Sequence, residues 1–234
     1  MIDIHSHLIF DVDDGSRSLE ESLNIIKMMY EAGVREMIIT PHYITDSKYV
    51  SKKKDNNKKL TILKKELKNN NIDMNLYLGN EIYIDRNIDK LIEDKEVSTL
   101  NNSKYILVEL PMSGHFNGYQ DVLHDLKCRG YKVILAHPER YISFQKDFKK
   151  ILELKELGIL FQSNYGSILG DYGLGSKLCI KKMMKNNLID FFSSDIHRLR
   201  HSDFIERAKK VMRKYYTESE IDDLTTNNAY EIIK

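Results

Sequence analysis

Residues 104–110 read KYILVEL and residues 132–137 read KVILAH. Each is a near-continuous apolar run of strand length, and each reaches a glutamate or a histidine at its end. A strand with one wet face alternates apolar and polar residues, whereas a parallel strand covered by helices on both faces does not. The two runs therefore predict buried parallel strands. Five more follow the same pattern: MIDIH (1–5), EMIIT (36–40), LYLGNEIYI (76–84), GILFQSN (158–164) and LIDFFSSD (188–195).

Amphipathic stretches lie between these runs. SLEESLNIIKMMYEAG (18–33) opens with a Ser18/Glu21 capping box and places Gly33 just past the helix end. YQDVLHDLKCRG (119–130) and DFKKILELKELG (147–158) stop in the same way at Gly130 and Gly158, and TESEIDDL (217–224) opens with a second box, Thr217 and Glu220. Seven β–α units predict one α/β domain over residues 1–234, a distorted seven-stranded (β/α)7 barrel; an open doubly wound sheet is the weaker alternative. No glycine-rich phosphate fingerprint follows the first run, which argues against a dinucleotide-binding version.

Composition narrows the function. The net charge is +1 over 234 residues, so no global field favours nucleic acid or an anionic membrane. The lysines of KKKDNNKKLTILKKELK (52–68) read as the solvated face of a helix. Cys128 and Cys179 have no metal spacing and form no disulfide framework, as in a reducing compartment. No apolar run approaches the ~18 residues of a membrane span. The expectation is a cytoplasmic protein without nucleic-acid partners or membrane insertion.

The polar residues cluster at the run ends. His5 ends the first run and His7 follows it, His42 follows the second, and Glu81 lies within the third. Glu109 ends the fourth, His137 and Arg140 the fifth, Gln162 and Asn164 the sixth, Asp195 and His197 the seventh, and Asp13 and Asp14 sit in the loop DVDDG (11–15). In a parallel barrel the carboxyl ends of all strands share one face, where active sites sit. Imidazoles and carboxylates gathered there suit Zn²⁺, Mn²⁺ or Fe²⁺, and a cation relieves the repulsion among the acids. Residues i and i+2 of an extended strand point the same way, so His5 and His7 can hold one ion, and Asp195 and His197 repeat the spacing. His115, His124 and His201 lack such partners and stand outside the set.

DIHSH (3–7), DVDDG, TPHY (40–43), GNEIY (79–83), HPERY (137–141), QSNYGSILG (162–170) and SDIH (194–197) resemble, in order and spacing, the polymerase-and-histidinol-phosphatase (PHP) superfamily, and within it the bacterial capsule and exopolysaccharide tyrosine-protein phosphatases of CpsB/YwqE type. The resemblance spans Met1 to the last helix. It implies three divalent ions, most naturally Mn²⁺, with Fe or Zn as alternatives, at the strand carboxyl ends. His5, His7, Glu81 and Asp195 would hold the first. Glu81 would bridge to a second, held by Glu109 and His137. Asp14 rather than Asp13 would join His42 and His197 around the third.

The family also uses two arginines on the phosphate. Arg140 of HPER matches the first. The second usually follows the last Asp-x-His at a longer interval, and here HRLRHS (197–202) is shorter and has Arg198 where asparagine is expected; Arg200 is the choice, with Arg198 its rival. The implied reaction is attack on phosphotyrosine by a metal-bridging hydroxide, on a tyrosine-phosphorylated protein such as a bacterial tyrosine autokinase that regulates polysaccharide synthesis. A small-molecule phosphatase, such as one for histidinol phosphate, and a catalytically silent PHP binding module are the alternatives.

Overall fold

The computed structural model describes residues 1–114 and 117–234. Its strands are β1 (Ile2–Asp3), β2 (Glu36–Ile39), β3 (His42–Tyr43), β4 (Asn75–Leu78), β5 (Glu81–Tyr83), β6 (Tyr105–Glu109), β7 (Lys132–Ala136), β8 (Leu160–Asn164) and β9 (Phe191–Ser193). They form two sheets, β1-β2-β4 and β3-β5-β6-β7-β8-β9, and every ladder is parallel.

Nine strands stand against seven runs because one run breaks and one short strand lies beyond the end of another. β3 lies beyond the run 36–40, separated from β2 by Thr40 and Pro41; β4 and β5 are halves of the run 76–84, split at Gly79 and Asn80. Pro41 has no N–H to give a ladder. At Gly79 a Cβ would stand 2.6 Å from Leu100 Cδ2 and 3.1 Å from Thr40 Cγ2, so a side chain would not fit at this crossing. The run 76–84 reads as one strand because its apolar residues resume at Ile82, and His42–Tyr43 is too short to read as a strand at all.

The two sheets meet at Ser6. It bridges Ile196, and its carbonyl accepts the Thr40 N–H at 2.8 Å. Just below, Ser193 Oγ accepts the Ile4 N–H at 3.1 Å, and the buried Asp3 carboxylate takes the Ser194 hydroxyl at 2.5 Å and its N–H at 3.1 Å. The first and last strand ends are thereby joined into a ring.

Alternation along the strands explains their composition. Leu107 of β6 and Ile134 of β7 point into the barrel, where they pack with Ile2, Ile4, Ile38 and Phe191; Ala229 and Ile232 belong to the same cluster. Their neighbours Ile106, Val108, Val133 and Leu135 point outward into the layer beneath the helices. Both faces are buried, so β6 and β7 carry no polar residue between their apolar ones, and each large side chain contributes about 1.5–3 kcal/mol by leaving water.

The helix Leu19–Glu31 begins with Ser18 Oγ accepting the Glu21 N–H, but Glu21 returns to the Arg17 N–H, one residue before the expected position. The Thr217/Glu220 box at helix Glu218–Thr225 is complete. Gly33, Gly130 and Gly158 each follow a helix with positive φ. In helix Lys53–Asn69, Leu60, Leu63 and Leu67 are buried while most of the lysines face solvent. Among the described residues no helix is long and apolar enough to cross a membrane.

Candidate metal centre

The carboxyl ends of the strands bring together all nine side chains expected to bind metal. His5 Nε2 and His7 Nε2 lie 3.1 Å apart. Glu81 Oε2 is 3.3 Å from each, and Asp195 Oδ1 is 3.4 Å from His5 and 3.3 Å from His7. Atoms bound at about 2.0–2.2 Å to a single ion stand roughly 3.0–3.5 Å from one another. Glu81 Oε2 is buried and makes no hydrogen bond, although three imidazole nitrogens lie within 3.3 Å. Such a meeting of lone pairs fits a cation at their centre.

A second group forms where Asp14 Oδ1 lies 3.5 Å from His42 Nε2 and 3.4 Å from His197 Nε2, with His7 beside them. In a third, His137 Nε2 is 2.9 Å from Glu81 Oε1 and 3.8 Å from Glu109 Oε1. His42 lies between these two groups: its Nδ1 is 3.0 Å from Glu81 Oε2 and 3.7 Å from Glu109 Oε2. The donors therefore form one continuous cluster rather than three separate pockets.

The spacing argument for the last strand needs a correction. His5 and His7 share a face, as i and i+2 should. Asp195, however, has φ +51°, so the Asp195–His197 stretch is not extended, although Asp195 Oδ1 still stands 3.5 Å from His197 Nδ1. Asp195 joins His5 and His7, while His197 turns to Asp14. His137 is also left-handed, at φ +32°. Non-glycine residues in this region are uncommon and gather at functional sites.

The loop DVDDG owes its composition to the same face. Asp13 is not among the converging donors. Its Oδ2 accepts from His7 Nδ1 at 2.8 Å and from the His42 N–H at 3.0 Å. A carboxylate only accepts, so His7 carries a proton on Nδ1 and its Nε2 can offer a lone pair to a cation. His197 Nδ1 likewise donates to the Asp195 carbonyl at 2.9 Å. At Gly15 a Cβ would fall on the His7 carbonyl and lie 2.5 Å from His7 Cβ, so glycine lets the loop rest directly on its histidine.

Without a cation the charges are held by protons. Burial alone would lower the pKa of His7, but Asp13, Asp195 and Glu81 raise it well above the ordinary value. Burial would raise Glu81, yet His5 and His42 bring it well below the carboxylate range. Glu109 is pushed up to about 8 by burial and by the neighbouring Glu81 charge. His137 is lowered to about 4 by burial and by Arg140. Asp14 is lowered to about 2, chiefly by its hydrogen bond to His197.

Beside the cluster opens a cavity of about 500 Å³, lined by Arg140, Tyr172, Asp195, His197, Arg198 and Arg200 among others. Arg140 Nη1 donates to Asp195 Oδ2 at 2.7 Å, and its guanidinium lies 4.2 Å over the Tyr172 ring. Arg200 pairs with the exposed Asp171. Arg198 is engaged differently, donating to the carbonyls of Gly15 and, at 2.8 Å, of its neighbour His197. It ties the DVDDG loop to the last strand, whereas Arg200 is held by a carboxylate and lies 4.6 Å over the Phe204 ring.

Sequence reading passed over Glu139. It is fully buried and accepts from Ser163 Oγ (3.0 Å), the Asn164 N–H (2.9 Å) and Ser167 Oγ (2.7 Å), which pins the turn carrying His137 and Arg140 to β8. Its place inside HPERY was the available signal. Cys128 ends a helix beside His124, at 3.5 Å, and Cys179 is buried within another. His201 is exposed, and His115 lies outside the described residues.

Comparison with known proteins follows this geometry. The family model for capsular polysaccharide synthesis, CpsB/CapC, matches residues 1–234. CapC of Staphylococcus aureus is 33% identical over 228 residues, 94% of this chain and 87% of CapC. The tyrosine-protein phosphatase YwqE of Bacillus subtilis is 30% identical over 236 residues, covering 100% of this chain and 92% of YwqE. A crystal structure from work on YwqE and Streptococcus pneumoniae CpsB, described as unique metal-dependent tyrosine phosphatases, superimposes with a TM-score of 0.92 at 28% identity, covering 100% of this chain and 94% of the other. The phosphotriesterase homology protein of Escherichia coli, at 12% identity and a TM-score of 0.67, shares the fold, with 100% of this chain and 98% of that one covered.

Proposed function

The chain belongs to the CpsB/CapC capsular polysaccharide synthesis family, and from that premise we propose that it is a metal-dependent phosphatase hydrolysing phosphotyrosine on proteins. One observation carries the reading: the lone pairs of His5, His7, Glu81 and Asp195 converge at the spacing of a cation's shell, beside a cavity walled by Arg140 and Arg200. The substrate class is supported by the relatives YwqE and CpsB, and the context of capsule synthesis by the family. Within it, an autophosphorylating tyrosine kinase that controls polysaccharide synthesis in the cytoplasm is the partner we propose.

The donor set suits three divalent ions, with manganese first and iron or zinc as alternatives. His5, His7, Glu81 and Asp195 would hold the first; Glu81, Glu109 and His137 the second; Asp14, His42 and His197 the third. Bound ions would supply Lewis acidity and lower the pKa of water from ~15.7 toward neutrality. The residues of the chain do the rest. Asp13 keeps the His7 proton on Nδ1. Arg140 and Arg200 neutralise the phosphoryl oxygens as charge builds on them. Tyr172 covers one face of Arg140 and so orients it. A phenol leaving group, with a pKa of ~10, departs with less protonation than an alkyl alcohol needs.

The test is a chelator-stripped protein reloaded with Mn²⁺, Fe²⁺ or Zn²⁺ and assayed on phosphotyrosine peptides, phosphoserine peptides and histidinol phosphate. Turnover should be restored by metal and greatest on phosphotyrosine. Turnover of histidinol phosphate alone would move the assignment to small-molecule hydrolysis. Metal uptake without any turnover would mark a silent binding module.

A further inference from the structure

Two uncharged amides join two of the proposed ligands. Gln162 and Asn164 alternate along β8 and are fully buried. Asn164 Nδ2 lies 2.7 Å from Asp195 Oδ2, Gln162 Nε2 lies 2.8 Å from Asn164 Oδ1, and Gln162 Oε1 lies 2.8 Å from His5 Nδ1. Neither amide contributes to the converging donors.

Chemistry fixes the direction of this chain. The Asp195 carboxylate can only accept, so Asn164 must turn its NH₂ toward it. The Asn164 oxygen then faces Gln162 and needs a donor, so Gln162 must turn its NH₂ that way. The Gln162 oxygen is left facing His5 Nδ1, which must carry the hydrogen. His5 Nε2 is thereby free to present a lone pair on the side of Glu81 and Asp195. At the other end Asp195 Oδ2 accepts both Asn164 and Arg140, which leaves Oδ1 turned toward His5 and His7. The Asn164 backbone is in turn fixed by Glu139.

We propose that Gln162 and Asn164 are positioning residues of the metal centre: a one-way chain of hydrogen bonds that sets the His5 tautomer and holds His5 Nε2 and Asp195 Oδ1 toward the same cation. The inference rests on the reading of this cluster as a metal site. A pair of amides that merely filled space would leave cation binding unaffected when replaced by an apolar side chain of similar size.

The experiment measures Mn²⁺ and Zn²⁺ affinity by competition with a chromophoric chelator for wild type, Gln162→Leu and Gln162→Glu. Loss of a ligand's outer partner typically weakens binding ~10–100-fold, so Gln162→Leu should show a loss of that order, with kcat largely recovered at saturating metal. Gln162→Glu keeps an acceptor for His5 Nδ1 and should recover part of the affinity. In the zinc-loaded wild type, ¹⁵N-histidine spectra should show a slowly exchanging Nδ1–H on His5 and zinc on Nε2; in Gln162→Leu that proton should exchange fast. Equal affinities in wild type and Gln162→Leu, or zinc on His5 Nδ1, would overturn the inference while the proposed function stands. A wild type that takes up no metal would overturn both.

Discussion

Glu109→Gln should stabilise the metal-free protein and weaken its metal binding, two effects of opposite sign from one atom. Glu109 is buried, its carboxylate is pushed up to about 8 by burial and by Glu81, and its nearest imidazole nitrogens are 3.7 and 3.8 Å away. A folded-state pKa above the unfolded value of 4.5 means that the group's favourable contribution is complete below pH 4.5 and is lost as pH rises through 8. At pH 7 the metal-free fold therefore carries a penalty of about 3 kcal/mol for keeping Glu109 protonated while the unfolded chain ionises it, against about 1 kcal/mol at pH 5. A glutamine has no such penalty. If imperfect amide hydrogen bonding cancels half the gain, the melting temperature of the chelator-treated variant should exceed that of wild type by roughly 3–6 °C at pH 7, and by less at pH 5. In the presence of Mn²⁺ the order should reverse, because an ion gains more from a carboxylate than from an amide. Differential scanning fluorimetry from pH 5 to 8, with and without metal, reads both effects. A metal-free Glu109→Gln protein that melts at or below wild type across this range would refute the reasoning.

Other expectations can be checked with the same material. Gly15→Ala should displace the DVDDG loop from His7 and lower metal content by elemental analysis, with circular dichroism unchanged; full metal content would show that the contact is compliant. Arg200→Ala should cut kcat/KM for a phosphotyrosine peptide about tenfold to a hundredfold at normal metal content, as expected for a charge-assisted hydrogen bond of ~1.5–3 kcal/mol. Arg198→Ala, whose guanidinium is taken by backbone carbonyls, should be the milder variant in the same assay, and the reverse order would exchange their roles. Cys128→Ser and Cys179→Ser should keep their turnover, with only the buried Cys179 variant melting lower; a folded, inactive serine variant would point to thiol chemistry.

Much of this was legible from local pattern. Runs such as KVILAH announce themselves because both strand faces are buried, and the ligand-type residues stand where those runs end. The break at Gly79 was not legible, because the Leu100 side chain that leaves no room for a Cβ there is remote in sequence. Neither was the backbone at Asp195: the i, i+2 argument presumes an extended strand, and Asp195 has φ +51°. Asp13 and Asp14 are adjacent and chemically alike; only the positions of His7 and His42 separate the one that orients histidines from the one that faces them. Gln162 and Asn164 were visible as polar strand ends, but an amide's role depends on what lies at each end of it.

The joining of the ring at Ser6 also sets when this molecule can first work. Ile4 and the Ser193 hydroxyl that receives its N–H are 189 positions apart. At synthesis rates of roughly 5–20 residues per second, His5 and His7 would wait about 10–40 s on the ribosome for Asp195 and His197. During that time no intermediate length of chain possesses the full donor set or a closed ring to hold it. The complete donor set is therefore assembled late: a chain that stops before Asp195 already carries Glu81, Glu109 and His137 but lacks the partner that His5 and His7 meet in the folded molecule.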